Sequence, residues 1–262
     1  MKKSYIKYFL SLLLFGSNGI VASLINLSSY EIVLLRTLIG SALLISIFFL
    51  GRGKLSFYKN RRQFLFLCIS GIAMGTSWMF LYEAYARIGV SISSLLYYCG
   101  PVIVMVLSPF LFKEKLTSAK VIGFAAVLCG IFFVNGNAFD GGGDTFGIFC
   151  GIMSALMYAF MVIFNKKARD ITGLENSMLQ LFISFLTVAV FVGIKQGFVI
   201  KIEPASILPI LILGLVNTGI GCYFYFSSIG GLPVQIIGAV LIIGGAMFGE
   251  CYQVKKVVTE GE

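Results

Sequence analysis

The side chains able to do chemistry in this chain are few, and they stand inside or at the ends of long apolar runs. Asn18, Asn165 and Asn217 are amides that are costly to leave unbonded in hydrocarbon, so they must face other protein. Interhelical hydrogen bonding accounts for them more readily than ligand binding does. Arg36 lies about a turn and a half inside its segment and has the reach to snorkel to an interface. As an ionisable group at depth it is also a candidate for lining a solute path. Trp78, Tyr82, Glu83 and Arg87 cluster at the end of one run. Glu83 and Arg87 have the i, i+4 spacing and order of a helix-stabilising pair, and the cluster also suits an entrance that selects charged or zwitterionic solutes. Pro101 removes a donor and frees the carbonyl of Tyr97, which predicts a kink where Tyr97, Tyr98 and Gly100 gather. Such a kink either exposes backbone groups to a solute or is resatisfied by neighbouring helices. Glu114, between Lys113 and Lys115, reads as a helix-end residue at the rim with a gating role.

Other chemistries lack their residues. There is no histidine, so neither a His-based metal site nor a Ser-His-Asp arrangement can be assembled. Six cysteines, Cys68, Cys99, Cys129, Cys150, Cys222 and Cys251, lie in or beside apolar runs without a CxxC pair and read as reduced packing residues. The run Gly141-Gly142-Gly143 lacks the strand and helix context of a phosphate loop, and no Walker motif is present. These absences argue against an enzyme and against any cofactor.

The elements that carry these residues are membrane helices. Hydrophobic residues make up 58% of the chain, charged residues 12%, and the mean hydropathy is +0.97, more apolar surface than a water-soluble fold can hide. Segments long enough to cross a bilayer run about 8–27, 32–50, 64–82, 92–112, 119–134, 146–164, 178–194, 207–229 and 234–248. The expected fold is therefore an all-α polytopic bundle of about nine transmembrane helices. Met1-Lys2-Lys3 before the first run imitates a signal peptide, but the run continues past a plausible cleavage region and reads as an uncleaved first helix.

The net charge of +9 does not point to a nucleic acid, because Lys and Arg sit in short connections between apolar runs. Alternate connections differ sharply. One set carries Lys2, Lys3, Lys7, Arg52, Lys54, Lys59, Arg61, Arg62, Lys113, Lys115, Lys120, Lys166, Lys167 and Arg169. The other holds Arg36, Arg87, Lys195 and Lys201 beside Glu31, Glu83, Asp140, Asp144 and Glu203. That asymmetry predicts a multi-pass protein of the plasma membrane with its amino terminus in the cytoplasm.

The polar break at 135–145 divides the chain into two units, 1–137 with five spans and 138–262 with four. The halves resemble each other. Ile69-Ser70-Gly71 parallels Ile212-Leu213-Gly214, Arg87-Ile88-Gly89 parallels Ser228-Ile229-Gly230, and Val121-Ile122-Gly123 with Gly130 parallels Ile236-Ile237-Gly238 with Gly245. Gly89 to Gly123 is 34 residues, whereas Gly230 to Gly238 is 8, so the second half is shorter by 26. That is about the length of one membrane helix with its turn. An odd number of spans per unit sets the two copies in opposite orientation, a pattern of secondary transporters. The pairs Gly71/Gly75, Gly147/Gly151 and Gly245/Gly249 predict close helix packing.

In the order of these residues the chain resembles the EamA-type drug/metabolite transporter superfamily. The resemblance is carried by Gly16-Ser17-Asn18-Gly19 in the first span, Arg36 in the second, and Tyr97 to Gly123, where Pro101 and Phe112-Lys113-Glu114-Lys115-Leu116 precede a Gly-spaced fifth span. It implies ten helices in two inverted five-helix repeats and a carrier of a small metabolite, amino acid or drug-like molecule working by alternating access. The partners it implies are membrane lipid and a small-molecule substrate, with a homodimer compatible. The chain departs from the pattern in lacking a second Pro-to-Glu segment between Pro233 and Ile236, which keeps open the alternative of a non-transporting member without its ninth helix.

Overall fold

Polar caps divide the apolar sequence into helices, which a computed structural model describes for residues 2–113 and 144–229. α1 (Lys2–Gly16) passes through a one-residue break at Ser17 into the short α2 (Asn18–Ala22). α3 (Ser29–Leu50) opens on a capping box in which Ser28 Oγ accepts from the Glu31 N–H and the Glu31 carboxylate accepts from the Ser28 N–H. α4 (Arg61–Tyr97) is capped by Asn60, and α5 (Cys99–Phe112) follows after a break at Tyr98. α6 (Thr145–Lys167) is capped by Asp144, which accepts from the N–H groups of Phe146 and Gly147. After α7 (Gly173–Lys195), α8 (Pro204–Leu211) begins on a proline whose missing N–H costs nothing in a first turn. It continues as a π-helical stretch, Ile212–Ile220, into α9 (Gly221–Ile229).

α4 holds two spans. Gly89 has φ 77° and ψ 164°, outside the helical region, and the packing against α6 shows what it does. Ser70 Oγ donates to the Met161 carbonyl and Ser77 Oγ to the Ser154 carbonyl, and Arg87 and Ile88 lie against Gly147. Up to Gly89, then, the chain runs antiparallel to α6. Beyond it the order inverts: Leu96 packs on Gly151, Gly100 on Ala155 and Tyr158, and Lys166 stands over the Phe112 ring. The chain has folded back at Gly89, and residues 90–112 descend parallel to α6. Seven of the nine expected segments are accounted for in this way. The expected spans at 119–134 and 234–248, Glu114, Cys129, Cys251, Gly245/Gly249 and the short interval between Gly230 and Gly238 lie outside the described residues.

Glycines set the distances between spans, as their spacing predicts. A Cβ on Gly71 would sit 2.7 Å from both Cβ and Cγ2 of Ile183 on α7, and one on Gly75 2.8 Å from the Ser184 carbonyl. In the second half, a Cβ on Gly214 would sit 2.7 Å from both Cβ and Cγ2 of Ile39 on α3. Gly71 and Gly214 are the positions that match between the two halves of the sequence, so the matched glycines make matched contacts.

Six helical stretches are long and apolar enough to cross a membrane, the longest being the folded-back 61–112. Their outward faces carry Ile6, Phe9, Phe49, Leu50, Phe110, Val190 and Ile194, all well exposed. A continuous apolar exterior of this kind suits lipid as the surrounding solvent. One end of the bundle gathers Lys59, Arg61, Arg62, Lys166 and Lys167; the other gathers Glu31, Glu83, Asp144 and Glu203 with Arg87 and Lys195.

Candidate functional site

Among the described residues Arg36 is the largest fully buried side chain, 1% exposed, and its surroundings define the site. Snorkelling would have taken it to the end of α3, but close packing turns it inward instead. A Cβ on Gly40, one turn further on, would lie 2.9 Å from Thr218 and 3.1 Å from the Gly214 carbonyl, so α3 sits directly against the π-helical stretch. Arg36 Nε donates to Thr218 Oγ1 at 2.9 Å, and Nη1 donates to the Tyr82 hydroxyl. The guanidinium lies 4.3 Å from the Trp78 ring centroid and 5.2 Å from that of Tyr82. Nη2 is buried and has no hydrogen-bond acceptor among the described residues.

The π-helical stretch positions this partner. Thr218 Oγ1 itself donates to the Leu213 carbonyl five residues back, the offset of a π turn. One residue earlier, Asn217 Nδ2 lies 2.8 Å from the Leu14 carbonyl, 2.8 Å from Ser17 Oγ and 3.1 Å from Asn18 Oδ1. An amide has two hydrogens, so it serves two of these acceptors at a time. Asn217 thereby holds the break between α1 and α2, where helix ends leave carbonyls unpaired.

Arg36 forms part of the wall of a central cavity of about 50 Å³. Of the candidate residues singled out in the sequence, Asn18, Trp78, Tyr97 and Tyr98 line it, and so do Phe15, Met74, Tyr85, Tyr158, Cys222 and Tyr225, which were not candidates there. The wall is strongly aromatic: Tyr97 meets Tyr158 edge-on at 5.2 Å, and the Tyr158 and Tyr225 hydroxyls share a hydrogen bond of 2.7 Å. Among the described residues, none of those lining the cavity is acidic.

Pro101 occupies the first turn of α5, where its missing N–H is tolerated, and the backbone breaks three residues earlier at Tyr98. The kink therefore falls at the predicted tyrosine pair, with Gly100 packed on Tyr158. Pro101 itself is buried but is not among the lining residues.

A second recess of about 340 Å³ opens at the acidic end, lined by Gly19, Ser23, Tyr30, Tyr82, Glu83 and Tyr85 among others. Tyr85 borders both spaces, and its ring lies 5.3 Å from that of Tyr82. Glu83 is engaged: Arg87 Nε donates to it at 2.7 Å while Arg87 Nη1 donates to Asp144 at 2.8 Å. The i, i+4 pair is present, then, and extends to the cap of α6. Arg87 and the amides of Phe146 and Gly147 hold the Asp144 carboxyl below the usual carboxylate range.

Asn165 stands apart from the cavity. Its amide donates to Asn176 Oδ1 and Gln180 Oε1, while Gln180 Nε2 donates to Ser70 Oγ, a closed polar network tying α4, α6 and α7. Glu175 is a buried carboxylate that sequence reasoning missed. It accepts from Ser56 N–H, Ser56 Oγ and Phe57 N–H, pinning the connection before α4 onto α7. Among the described residues there is no group of His, Cys, Asp and Glu fit to hold a metal ion.

Comparison with known proteins agrees with this geometry. The model of the EamA-like transporter family matches residues 2–136, about half of the chain. The chain belongs to the EamA-like transporter family. It is 25% identical over 256 residues, 92% of this chain and 78% of the relative, to the Uncharacterized transporter YxxF of Bacillus subtilis (strain 168). It is 26% identical over 202 residues, 73% of this chain and 67% of the relative, to the Uncharacterized transporter YoaV of the same organism. A solved structure titled "Crystal structure of protein" superposes with a TM-score of 0.79 at 17% identity, covering 97% of this chain and 89% of that one, a likeness of fold. As a family member the chain is a multi-pass membrane transporter, and Arg36, Trp78 and the folded-back 61–112 fall within the matched region.

Proposed function

We propose that the chain is a secondary carrier that moves a small organic solute through the central cavity by alternating access. The observation that carries this reading is the cavity itself: a buried arginine and an aromatic wall built from α1, α3, α4, α6 and α9, with no acidic residue among the described lining. In lipid, polar groups held at depth without being fully paired are functional by default. The two halves act as inverted repeats, 1–137 and 138–262, and the equal contacts of Gly71 with Ile183 and Gly214 with Ile39 support that pseudo-symmetry. The basic end faces the cytoplasm, with the amino terminus, and the recess at the acidic end is the outer vestibule. Tyr82 and Tyr85 separate vestibule from cavity, and rocking of the repeats moves that barrier.

The carrier reading predicts flux. Vesicles containing the full chain and loaded with a mixed pool of amino acids and organic acids will lose at least one component faster than protein-free vesicles, followed by mass spectrometry. Equal loss of every component from both would contradict it. The short Gly230 to Gly238 interval favours a second reading, a non-transporting member. The same measurement on a chain with a five-helix second half restored separates the two: flux in the restored chain alone supports the second.

A further inference from the structure

We propose that the central cavity takes a small monoanion, a carboxylate on a flat apolar or aromatic body, with Arg36 as the residue that binds its charge. This rests on the carrier reading and specifies the substrate class of the same site. Three observations lead to it. First, Arg36 is an uncompensated cation at depth: Thr218 and Tyr82 occupy Nε and Nη1 with neutral oxygens, Nη2 has no acceptor, and no carboxylate contacts the guanidinium among the described residues. A buried charge left this way is costly, and an incoming anion offsets that cost by a charge-assisted hydrogen bond to Nη2. Second, Arg36 is the one cation among the described lining residues, which matches one negative charge and gives a second no partner among them. Third, the rest of the wall, with Phe15, Tyr97, Tyr98 and Tyr158, offers ring faces and edges suited to a flat apolar body.

No acidic residue lines the cavity among the described residues, so none of these supplies a dedicated seat for an ammonium group. Glu83, the carboxylate of the outer recess, lies on the far side of Tyr82 and Tyr85 and is held by Arg87. Among the described lining residues a zwitterion finds its anion partner and leaves its cation with ring faces and the Asn18 amide, a weaker match than the monoanion enjoys.

The protein carries its own reporter. Trp78 is the single tryptophan of the chain and lies against the Arg36 guanidinium, so occupation of Nη2 alters its emission. The test titrates the purified full chain with benzoate, with benzamide, which has the same shape and no charge, and with 3-(aminomethyl)benzoate, which adds an ammonium. Benzoate is expected to give a saturable change, benzamide to bind about tenfold more weakly or worse, and the zwitterion to fall below benzoate. Arg36→Gln removes the benzoate response, while the acid and amide comparison needs only the unaltered chain. Equal binding of benzoate and benzamide, a zwitterion as tight as benzoate, or no saturable response to benzoate would each overturn the proposal. Anion binding without vesicle flux would sink the carrier reading and leave the site standing. Flux of neutral or zwitterionic solutes without anion selectivity would do the reverse.

Discussion

Arg36→Leu is expected to lower flux by about tenfold or more while leaving the thermal midpoint of the detergent-solubilised protein unchanged or raised. The two effects have separate causes. Removing the guanidinium deletes the one cation among the described lining residues, and a lost charge-assisted hydrogen bond to a solute is worth about tenfold or more. On the stability side, an arginine at membrane depth costs about 2.5–3.5 kcal/mol, and leucine relieves that cost. Against this, the Tyr82 hydroxyl loses a partner, at about 1 kcal/mol, whereas Thr218 keeps its bond to the Leu213 carbonyl. The balance favours the variant's stability, as when buried charges elsewhere give way to apolar residues. A parallel fall in flux and midpoint would show that Arg36 serves the fold and not the solute.

The largest structural effects are expected at Gly71 and Gly214. Gly71→Leu and Gly214→Leu each force a Cβ to within 2.7 Å of an isoleucine Cβ, an atom fixed to the opposing backbone that no rotamer change can withdraw. The helices must part, and overpacking of this kind costs about 1–3 kcal/mol or more. Both variants are expected to lose most of their folded yield and to lower the midpoint by similar amounts, because the two contacts are alike. Ile72→Leu, beside Gly71 but half exposed, is the control and should be silent. A large effect at Gly71 with none at Gly214 would contradict the matched packing of the halves.

Much of this was legible in the sequence, for identifiable reasons. Hydropathy placed seven spans where helices are found, and the glycine pairs foretold packing because only glycine admits such close approach. The amide rule worked for Asn165 and Asn217, which are hydrogen-bonded within the bundle. Arg36 had two readings in the sequence, snorkelling and lining a solute path, because depth alone does not say which way a side chain turns. That direction depends on Gly40 meeting Thr218, a contact between residues far apart in sequence. Tyr85, Tyr158 and Tyr225 were missed because segments that are apolar all round give no periodic signal separating a lipid face from a cavity face. A tyrosine hydroxyl in hydrocarbon needs a partner as an amide does, and applying that rule to Tyr158 and Tyr225 would have found them. Gly89 stood out in the sequence only by its repeat match with Gly230, and its positive φ is seen only in the structure.

The central claim is that one cavity opens in turn to each side of the membrane. Cys222 lines that cavity and is fully buried, and the other five cysteines can be replaced by serine to leave it alone. In vesicles sealed in either orientation, a membrane-impermeant maleimide added outside should label Cys222 slowly from both faces, and Tyr85→Ala should speed labelling from the acidic face only. Labelling confined to one face in both the parent and the Tyr85→Ala protein would contradict the account.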